Sequence, residues 1–306
     1  MLLHTDSHYL IGSSHSVCED YALHGSFDFA PGTSDKKSVS FGIVSDGCSQ
    51  SSDSDVGARI VAWFMQRHFK RLLTCDRCWY EDIFIDQKEG SFNGNLDVCI
   101  FDLLLGRKYA IFPESGEFLD ATAWLAAVCN GQVFVFGTGD GALIVKRKSG
   151  TAIHCVTYES SAPFYLSYRM NETRKENYLK TFGGVYILST ISIKADGTKS
   201  VTHKEYPYNQ PFMLKFADSE GDPIQTVSVC SDGFKTYLGV SDDAILGSLE
   251  WAVTRMIDYP TVEGVFVERS MRFLEKQDHK KQIFHLDDIS MASIAFVPED
   301  QNGQPK

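Results

Sequence analysis

The sequence predicts an α+β protein in which antiparallel sheets and helices pack in layers. Strand-like segments come in runs that are followed by helical segments, without the regular strand–helix alternation of a doubly wound parallel sheet. The dipeptide Asn130-Gly131, which suits a two-residue hairpin turn, separates two strand-like segments. No shift in composition marks a linker, so we expect residues 1–298 to form a single domain, followed by a polar C-terminal tail at 299–306.

A strand and a helix are the first elements that the sequence predicts. Apolar and small side chains alternate over residues 39–43, as in a half-buried strand. A helix follows, with Asp53, Ser54 or Asp55 as its N-cap. Its predicted core-facing side chains recur at helical spacing and are Val56, Ile60, Trp63 and Phe64.

The middle of the chain is predicted to consist of strands. A meander is expected from residues 123–129, 133–136 and 142–145. Residues 185–193 and 201–205 predict a hairpin, with a turn at 195–198 between them. Residues 207–223 indicate a loop-rich connection.

Two helices and a closing strand are predicted towards the C-terminus. Ser241 is the expected cap of the first helix. The apolar stripe of that helix is Ile245, Leu249, Val253 and Met256. Thr261 is expected to open the second helix, whose apolar face is Val262, Phe266 and Phe273. Residues 289–296 predict the last strand.

The composition argues against several functions. Forty acidic and 29 basic side chains give a net charge of −11, so we expect neither nucleic acid nor an anionic membrane as a partner. No apolar run is long enough to cross a bilayer, and no export signal is indicated. The eight cysteines are scattered, mostly in apolar contexts, as expected of a cytoplasmic protein. Cys75 and Cys78 lack a second pair at zinc spacing and predict a surface turn.

Acidic residues stand where predicted strands run into glycine loops. Ser-Asp-Gly occurs twice, with Asp46 and Asp232 each following an apolar strand-like run. Two acidic doublets, Glu19-Asp20 and Asp287-Asp288, complete the set. Any one of these motifs alone is typical of a plain turn or an exposed acidic pair. Together they are well placed to hold hard divalent cations by oxygen, because glycine lets a ligand approach the backbone closely.

Six motifs follow one another along the chain: Glu19-Asp20, Asp46-Gly47, Asp120-Ala121-Thr122-Ala123, Gly139-Asp140, Ser231-Asp232-Gly233 and Asp287-Asp288-Ile289-Ser290. In this order they resemble the motifs of the metal-dependent serine/threonine phosphatases of type 2C, over about residues 8–297. The resemblance implies a four-layer α-β-β-α sandwich of two antiparallel sheets flanked by helices. It also implies hydrolysis of phosphoserine and phosphothreonine in phosphorylated proteins, by a metal-bridged hydroxide attacking phosphorus in line.

The resemblance assigns the metal ligands. Asp46 is similar to the carboxylate that bridges two Mn²⁺ or Mg²⁺ ions, and the carbonyl of Gly47 would complete the shell of the second ion. Asp232 and Asp287 resemble ligands of the first ion, which makes them and Asp46 the predicted catalytic residues.

Three further acidic residues are assigned in the same way. Glu19 and Asp20 would act on the metals largely through water, and Asp140 is similar to a residue that helps to hold a weaker third ion. Residues 160–222 contain most of the unassigned surface and are expected to shape substrate access.

The sequence departs from the family pattern at several positions. His15 stands where the family has a phosphate-gripping arginine, and it is either a phosphate contact or a partly buried structural histidine, with Arg59 as a candidate substitute. Cys48 stands where many eukaryotic members have a histidine. Asp120 replaces a glycine, which indicates a local packing difference. Two alternatives follow: a catalytically silent member that binds phosphoproteins, and a metal-stabilised interaction domain.

Overall fold

The computed structural model describes residues 2–30, 36–51, 53–75, 117–165, 167–168, 171–239 and 245–298. Its strands are β1 (Leu2–Leu10), β2 (Asp20–Phe29), β3 (Lys37–Asp46), β4 (Ala123–Cys129), β5 (Gln132–Thr138), β6 (Gly141–Arg147), β7 (Gly150–Tyr158), β8 (Val185–Lys194), β9 (Lys199–Pro207), β10 (Phe212–Ala217), β11 (Ile224–Cys230), β12 (Tyr237–Leu238), β13 (Phe284–His285) and β14 (Ile289–Val297). Its helices are α1 (Ser54–Cys75), α2 (Glu172–Phe182), α3 (Ile245–Met256) and α4 (Phe266–Lys280).

Two antiparallel sheets form the centre of the fold. The five-stranded sheet has the order β10-β5-β4-β3-β2, and the seven-stranded sheet has the order β1-β14-β11-β6-β7-β8-β9. Side chains from both sheets meet between them, with Trp124 and Val135 on one side and Val227 and Ile294 on the other. The facing sheets therefore enclose one continuous apolar layer.

Helices cover the outer face of each sheet. Met65 and Phe69 of α1 pack with Phe41 of the five-stranded sheet. On the other side, Leu249 of α3 and Met271 of α4 pack against the seven-stranded sheet. The predicted four-layer α-β-β-α sandwich is confirmed.

The Asn130-Gly131 hairpin is confirmed, but the meander that it belongs to is divided. Asn130 and Gly131 have φ of 51° and 73°, the left-handed pair that a tight two-residue turn requires. The following strand, β6, leaves the five-stranded sheet and pairs with β7 and β11 in the other sheet. The turn between β5 and β6 therefore crosses from one sheet to the other, and the prediction of one continuous meander was wrong.

The apolar face predicted for α1 is partly wrong. The helix begins at Ser54, one of the three predicted caps, but Val56 and Trp63 are 45% and 58% exposed. The buried face instead runs through Ala58, Val61, Ala62, Met65 and Phe69. Alanines have small side chains, so this face of the helix can pack closely against the sheet. The prediction instead gave the core-facing positions to the largest apolar side chains.

Helix α4 begins at Phe266 and not at Thr261, and Phe273 is 60% exposed. Its N-terminus is capped from strand β1, where the buried Asp6 carboxylate accepts the backbone N–H of Val267 at 2.6 Å and of Glu268 at 3.2 Å. N-cap signals are read from residues next to the helix start, so a cap that comes from a distant strand cannot be recognised there.

Several other expectations have mixed outcomes. The stripe of α3 is confirmed at Leu249, Val253 and Met256, which are buried.

Strands β1 and β2 were not predicted, and β10 lies within the segment that was predicted to be loop-rich. The Ser241 cap, the side chains of the Cys75 and Cys78 pair, and the tail lie outside the described residues. Among the described helices, none is long and apolar enough to span a membrane.

Candidate metal centre

The end of β3 and the start of β2 bring two acidic side chains together. Asp20 and Asp46 are directly opposite each other in the antiparallel register of these strands. Thr122 fixes the second of them, because its Oγ1 accepts the Asp46 N–H at 3.1 Å and its own N–H donates to the Asp46 carbonyl at 2.8 Å. The Asp120-Ala121-Thr122-Ala123 motif therefore positions Asp46.

The other sheet contributes three more carboxylates. Asp232 opens the 3₁₀ turn after β11, Asp287 lies just before β14, and Asp140 lies in the turn between β5 and β6. Ser231 and Ser290 tie the two strand ends together, since the Ser290 N–H donates to Ser231 Oγ at 2.9 Å. This bond holds the segments that carry Asp232 and Asp287 side by side.

Burial and neighbouring carboxylates raise the pKa values of Asp20, Asp46, Asp140 and Asp287. Burial and the charges of Asp20 and Asp232 raise the pKa of Asp46 well above its usual range. Burial and the charge of Asp232 do the same to the pKa of Asp140. Burial raises the pKa of Asp20 to about 7, and burial together with Asp232 raises that of Asp287 to about 6. Each of the five predicted aspartates therefore has at least one of the others as an electrostatic neighbour.

Glu19 and Gly47 border this cluster. Glu19 Oε1 accepts a hydrogen bond of 2.9 Å from Ser54 Oγ at the start of α1, and the Gly47 N–H donates to the Glu19 carbonyl at 3.2 Å. A Cβ at Gly47 would lie 2.6 Å from the Ser54 carbonyl oxygen, so only glycine fits there. The loop, the helix start and Glu19 form one packed unit.

His15 lies among carboxylates. Its Nδ1 is 3.2 Å from Asp288 Oδ2 and 3.9 Å from Glu19 Oε2, and its Nε2 is 3.4 Å from Asp287 Oδ1. Burial would lower the pKa of His15, but the acidic groups around it, Asp288 first, hold that pKa above its ordinary value. The imidazole is therefore a charge partner of the acidic loops.

Asp288 ties two distant loops together. The buried carboxylate accepts the N–H of Gly12 at 2.7 Å and of Glu19 at 2.5 Å. A Cβ at Gly12 would lie 2.3 Å from the Leu286 carbonyl oxygen, so the two loops touch through their backbones. The sequence places Asp288 in a motif, but its partners lie more than 260 residues away and cannot be read from local spacing.

Lys235 and Tyr165 were not predicted as parts of the site. Lys235 Nζ donates to the Val156 carbonyl at 3.2 Å and lies 3.9 Å from Asp232 Oδ2. Tyr165 is 8% exposed, and burial and the charges of Cys48 and Asp140 raise its pKa. No motif includes either residue, because Lys235 lies just beyond the Ser231-Asp232-Gly233 motif and Tyr165 lies in a segment to which the resemblance assigns no residue.

The donor set fits divalent cations. Both carboxylate oxygens of Asp20 are buried and accept no hydrogen bond within the described part of the chain. Buried carboxylates without partners are strongly unfavourable unless a cation or a proton compensates them. Oxygen ligands select hard ions such as Mg²⁺ and Mn²⁺. The residues present are therefore suited to such ions.

The two sheets, the flanking helices and this cluster of carboxylates at strand ends define a layered α+β protein with an acidic centre suited to metal ions. The chain matches the sequence model described as Protein phosphatase 2C over residues 12–286. It belongs to the protein phosphatase 2C family. No curated protein matches the chain in sequence.

The chain is also similar to several solved structures. The PP2C phosphatase domain of SpoIIE from Bacillus subtilis, solved with a fragment of its regulatory domain, is 10% identical, and the match covers 97% of this chain and 64% of that chain with a TM-score of 0.50. Stp1 from Staphylococcus aureus is 14% identical, with 97% and 96% covered and a TM-score of 0.47. PstP/Ppp from Mycobacterium tuberculosis is 12% identical, with 97% and 99% covered and a TM-score of 0.45.

Proposed function

We propose that this chain is a Mn²⁺- or Mg²⁺-dependent phosphatase that hydrolyses phosphoserine and phosphothreonine in proteins. The observation that carries the proposal is the convergence of Asp20, Asp46, Asp232 and Asp287 from four separate strand ends. Family membership, based on the match over residues 12–286, supports the same activity.

The proposed ligands divide between two ions. Asp46 has Asp20 of its own sheet and Asp232 of the other sheet as electrostatic neighbours, and it is the proposed bridging carboxylate. Asp232 and Asp287 would hold one ion, and the Gly47 carbonyl would hold the other. Glu19 and Asp20 would act through water, as the family resemblance implies.

The bound ions would supply positive charge to offset the phosphoryl group and would lower the pKa of a coordinated water. The chain's own residues hold the geometry. Ser54 orients the Glu19 carboxylate, and Asp288 holds the loop that carries Glu19. His15, when protonated, lies close enough to Asp287 to donate a hydrogen bond to a phosphoryl oxygen bound beside it.

The position of the centre supports a macromolecular substrate. Asp287 and Asp232 are 38% and 21% exposed, so a phosphoryl group on a protein surface could reach them. The five described free cysteines, of which Cys129, Cys155 and Cys230 are buried, support our placement of the protein in the reducing cytoplasm.

The test is hydrolysis of an aryl phosphate and of phosphoserine and phosphothreonine peptides by metal-free protein supplemented with Mn²⁺. We expect turnover that chelator abolishes and that Asp46→Asn and Asp232→Asn reduce by at least about 100-fold. Asp196→Asn, which removes a fully exposed carboxylate, is the matched control and should retain activity. Turnover that is indifferent to chelator and to Asp46→Asn would rule the proposal out.

His15 favours a second candidate, a catalytically silent member that binds phosphoproteins. Its ring is surrounded by Glu19, Asp287 and Asp288, so its charge is shared with the protein's own carboxylates and less is available to a substrate. This candidate predicts that a phosphopeptide binds in the presence of Mn²⁺ and is recovered intact.

A further inference from the structure

The solvent-facing side of helix α1 is basic, although the chain as a whole is acidic. The helix contains four lysine and arginine residues and one acidic residue, Asp55, whereas the whole chain has a net charge of −11. Its exposed side chains recur every three or four residues, so they share one face. This basic face consists of Val56, Arg59, Trp63, Arg67, Lys70 and Arg71.

The cations of the basic face are not neutralised by the protein's own carboxylates. The Arg59 guanidinium lies 5.8 Å from the centre of the Tyr21 ring, and Lys70 Nζ lies 5.4 Å from that of Phe27, so strand β2 orients both cations. None of the four basic residues forms an ion pair with a carboxylate in the described part of the chain. Arg67 has like charges three and four positions further on, a spacing that weakens a helix.

Trp63 adds an apolar contact to the middle of the basic face. It is 58% exposed, and Val56 on the same face is 45% exposed. Arg59 and Arg67 lie four positions before and after the indole, so cations flank it on both sides. Exposed tryptophan beside arginine is typical of surfaces that bind other proteins.

The basic face leads away from the candidate metal centre. Helix α1 begins at Ser54, whose Oγ donates to Glu19 Oε1 at 2.9 Å. At about 1.5 Å per residue, Arg59 lies about 8 Å along the helix axis from Ser54, and Arg71 lies about 26 Å from it. An extended peptide covers about 3.3 Å per residue, so roughly eight residues would span this length.

We propose that the basic face binds an acidic segment of the protein substrate, located roughly three to ten residues from the phosphorylated serine or threonine. The inference deepens the proposed function and rests on it for the identity of the partner. A short acidic segment matches the face in charge and length. Nucleic acid and anionic membranes extend beyond the face and would meet the acidic remainder of the chain. Arg67 and Arg71 are therefore specificity-determining residues.

The first test measures docking without catalysis. The probe is a fluorescein-labelled, unphosphorylated peptide with a run of glutamates, compared with the same peptide carrying glutamines. Its binding to the chain in chelator is followed by fluorescence anisotropy. We expect the glutamate peptide to bind more weakly as salt is added, and Arg67→Glu combined with Arg71→Glu to weaken it by at least about tenfold. Trp63→Ala should also weaken it.

Lys276→Glu combined with Lys280→Glu is the matched control. It makes the same change of charge at two exposed positions four residues apart, on α4 instead of α1. Binding of the glutamate peptide should be unchanged in this variant.

The second test joins docking to catalysis. With Mn²⁺ present, a run of glutamates should lower the KM of a phosphoserine peptide by about tenfold without changing kcat, because docking strengthens ground state and transition state alike. Arg67→Glu combined with Arg71→Glu should cancel this gain. The KM for an aryl phosphate should stay unchanged, since that molecule is too small to reach the basic face.

Three results overturn the inference. They are equal binding of the glutamate and glutamine peptides, equal losses in the two double variants, and binding to phosphatidylserine vesicles without binding to the peptide. The last result would assign the basic face to a lipid surface. Absence of aryl phosphate turnover beside intact binding of the glutamate peptide would overturn the proposed function instead and leave the docking surface standing.

Discussion

Arg174 donates a hydrogen bond of 2.6 Å to the carboxylate of Asp120, a buried residue that follows the 3₁₀ turn at Glu117–Leu119. Ser51 and Ser167 also donate to this carboxylate, and the Arg174 guanidinium lies 4.7 Å from the centre of the Tyr168 ring. Asp120, which indicated only a local packing difference, thus fastens the segment that contains Tyr165 beside the metal centre. That residues 160–222 shape substrate access stays a prediction.

Removing Arg174 should destabilise the protein. Arg174→Ala leaves the Asp120 charge buried with only two hydroxyl donors, and losing one member of a buried pair typically lowers the free energy of unfolding by about 3 kcal/mol. Lys175→Ala is the control, because its pair with Glu172 is largely exposed and should contribute less than about 1 kcal/mol. Urea unfolding measures both. Equal effects of the two substitutions would contradict the role of the Arg174–Asp120 pair.

Gly233 should tolerate no side chain. A Cβ there would lie 1.8 Å from the Asp288 carbonyl oxygen, so Gly233→Ala should lower the free energy of unfolding by about 1–3 kcal/mol and weaken Mn²⁺ binding by displacing Asp287. Gly184→Ala is the control, since nothing lies within 4 Å of its added Cβ, and it should change stability by less than about 0.5 kcal/mol. Thermal unfolding and Mn²⁺ titration check both. Unchanged Mn²⁺ affinity in Gly233→Ala would refute the coupling to Asp287.

The metal-free protein should lose stability as the pH rises from 5 to 8. The pKa of Asp20 is raised to about 7 and that of Asp287 to about 6, from an ordinary 3.8, so folding favours their protonated forms. The stability that this gives is complete below the unfolded pKa and is lost as the pH passes through 6 and 7. Melting temperatures in chelator measure the slope.

Asp20→Asn should flatten this pH profile, because asparagine does not ionise. Mn²⁺ should oppose the loss at pH 8, since ions bind the deprotonated carboxylates. If the melting temperature of the chelated wild-type protein falls no more between pH 5 and pH 8 than that of Asp20→Asn, these carboxyl groups are not held protonated in the folded protein.

His15→Arg should improve substrate affinity. The guanidinium is always charged, reaches further than imidazole and can grip a phosphoryl group with two hydrogen bonds. The expected result is a KM for aryl phosphate lower by roughly tenfold, equivalent to about 1.4 kcal/mol. His15→Gln serves as the uncharged comparison and should show no such gain. Arg and Gln variants with the same KM would place position 15 away from the phosphoryl group.

The sequence was sufficient for the features that local chemistry determines. Asn130 and Gly131 form the predicted turn because only that pair of left-handed residues fits a tight hairpin. Asp46 and Asp232 were found because glycine follows each of them at the end of an apolar strand. Local patterns therefore placed the strand ends that build the centre.

Features determined across the fold could not be predicted in the same way. The start of α4 depends on Asp6, which is about 260 residues away. The buried face of α1 contains alanines, whose close packing against the sheet cannot be recognised from the helix sequence alone. Lys235 belongs to no motif, and its hydrogen bond to the Val156 carbonyl joins residues 79 positions apart. Such contacts are absent from any sequence window.

The bond from Asp288 to Gly12 joins residues 276 positions apart, and β1 pairs only with β14 among the described strands. A nascent chain that still lacks residues 287–297 therefore has an unpaired first strand and an incomplete acidic centre. Residues 287–297 therefore complete both the seven-stranded sheet and the candidate site, and the proposed ion binding depends on them. Pairing of β1 with β14 also slows folding, because contacts between residues far apart in sequence require the closure of a long chain segment.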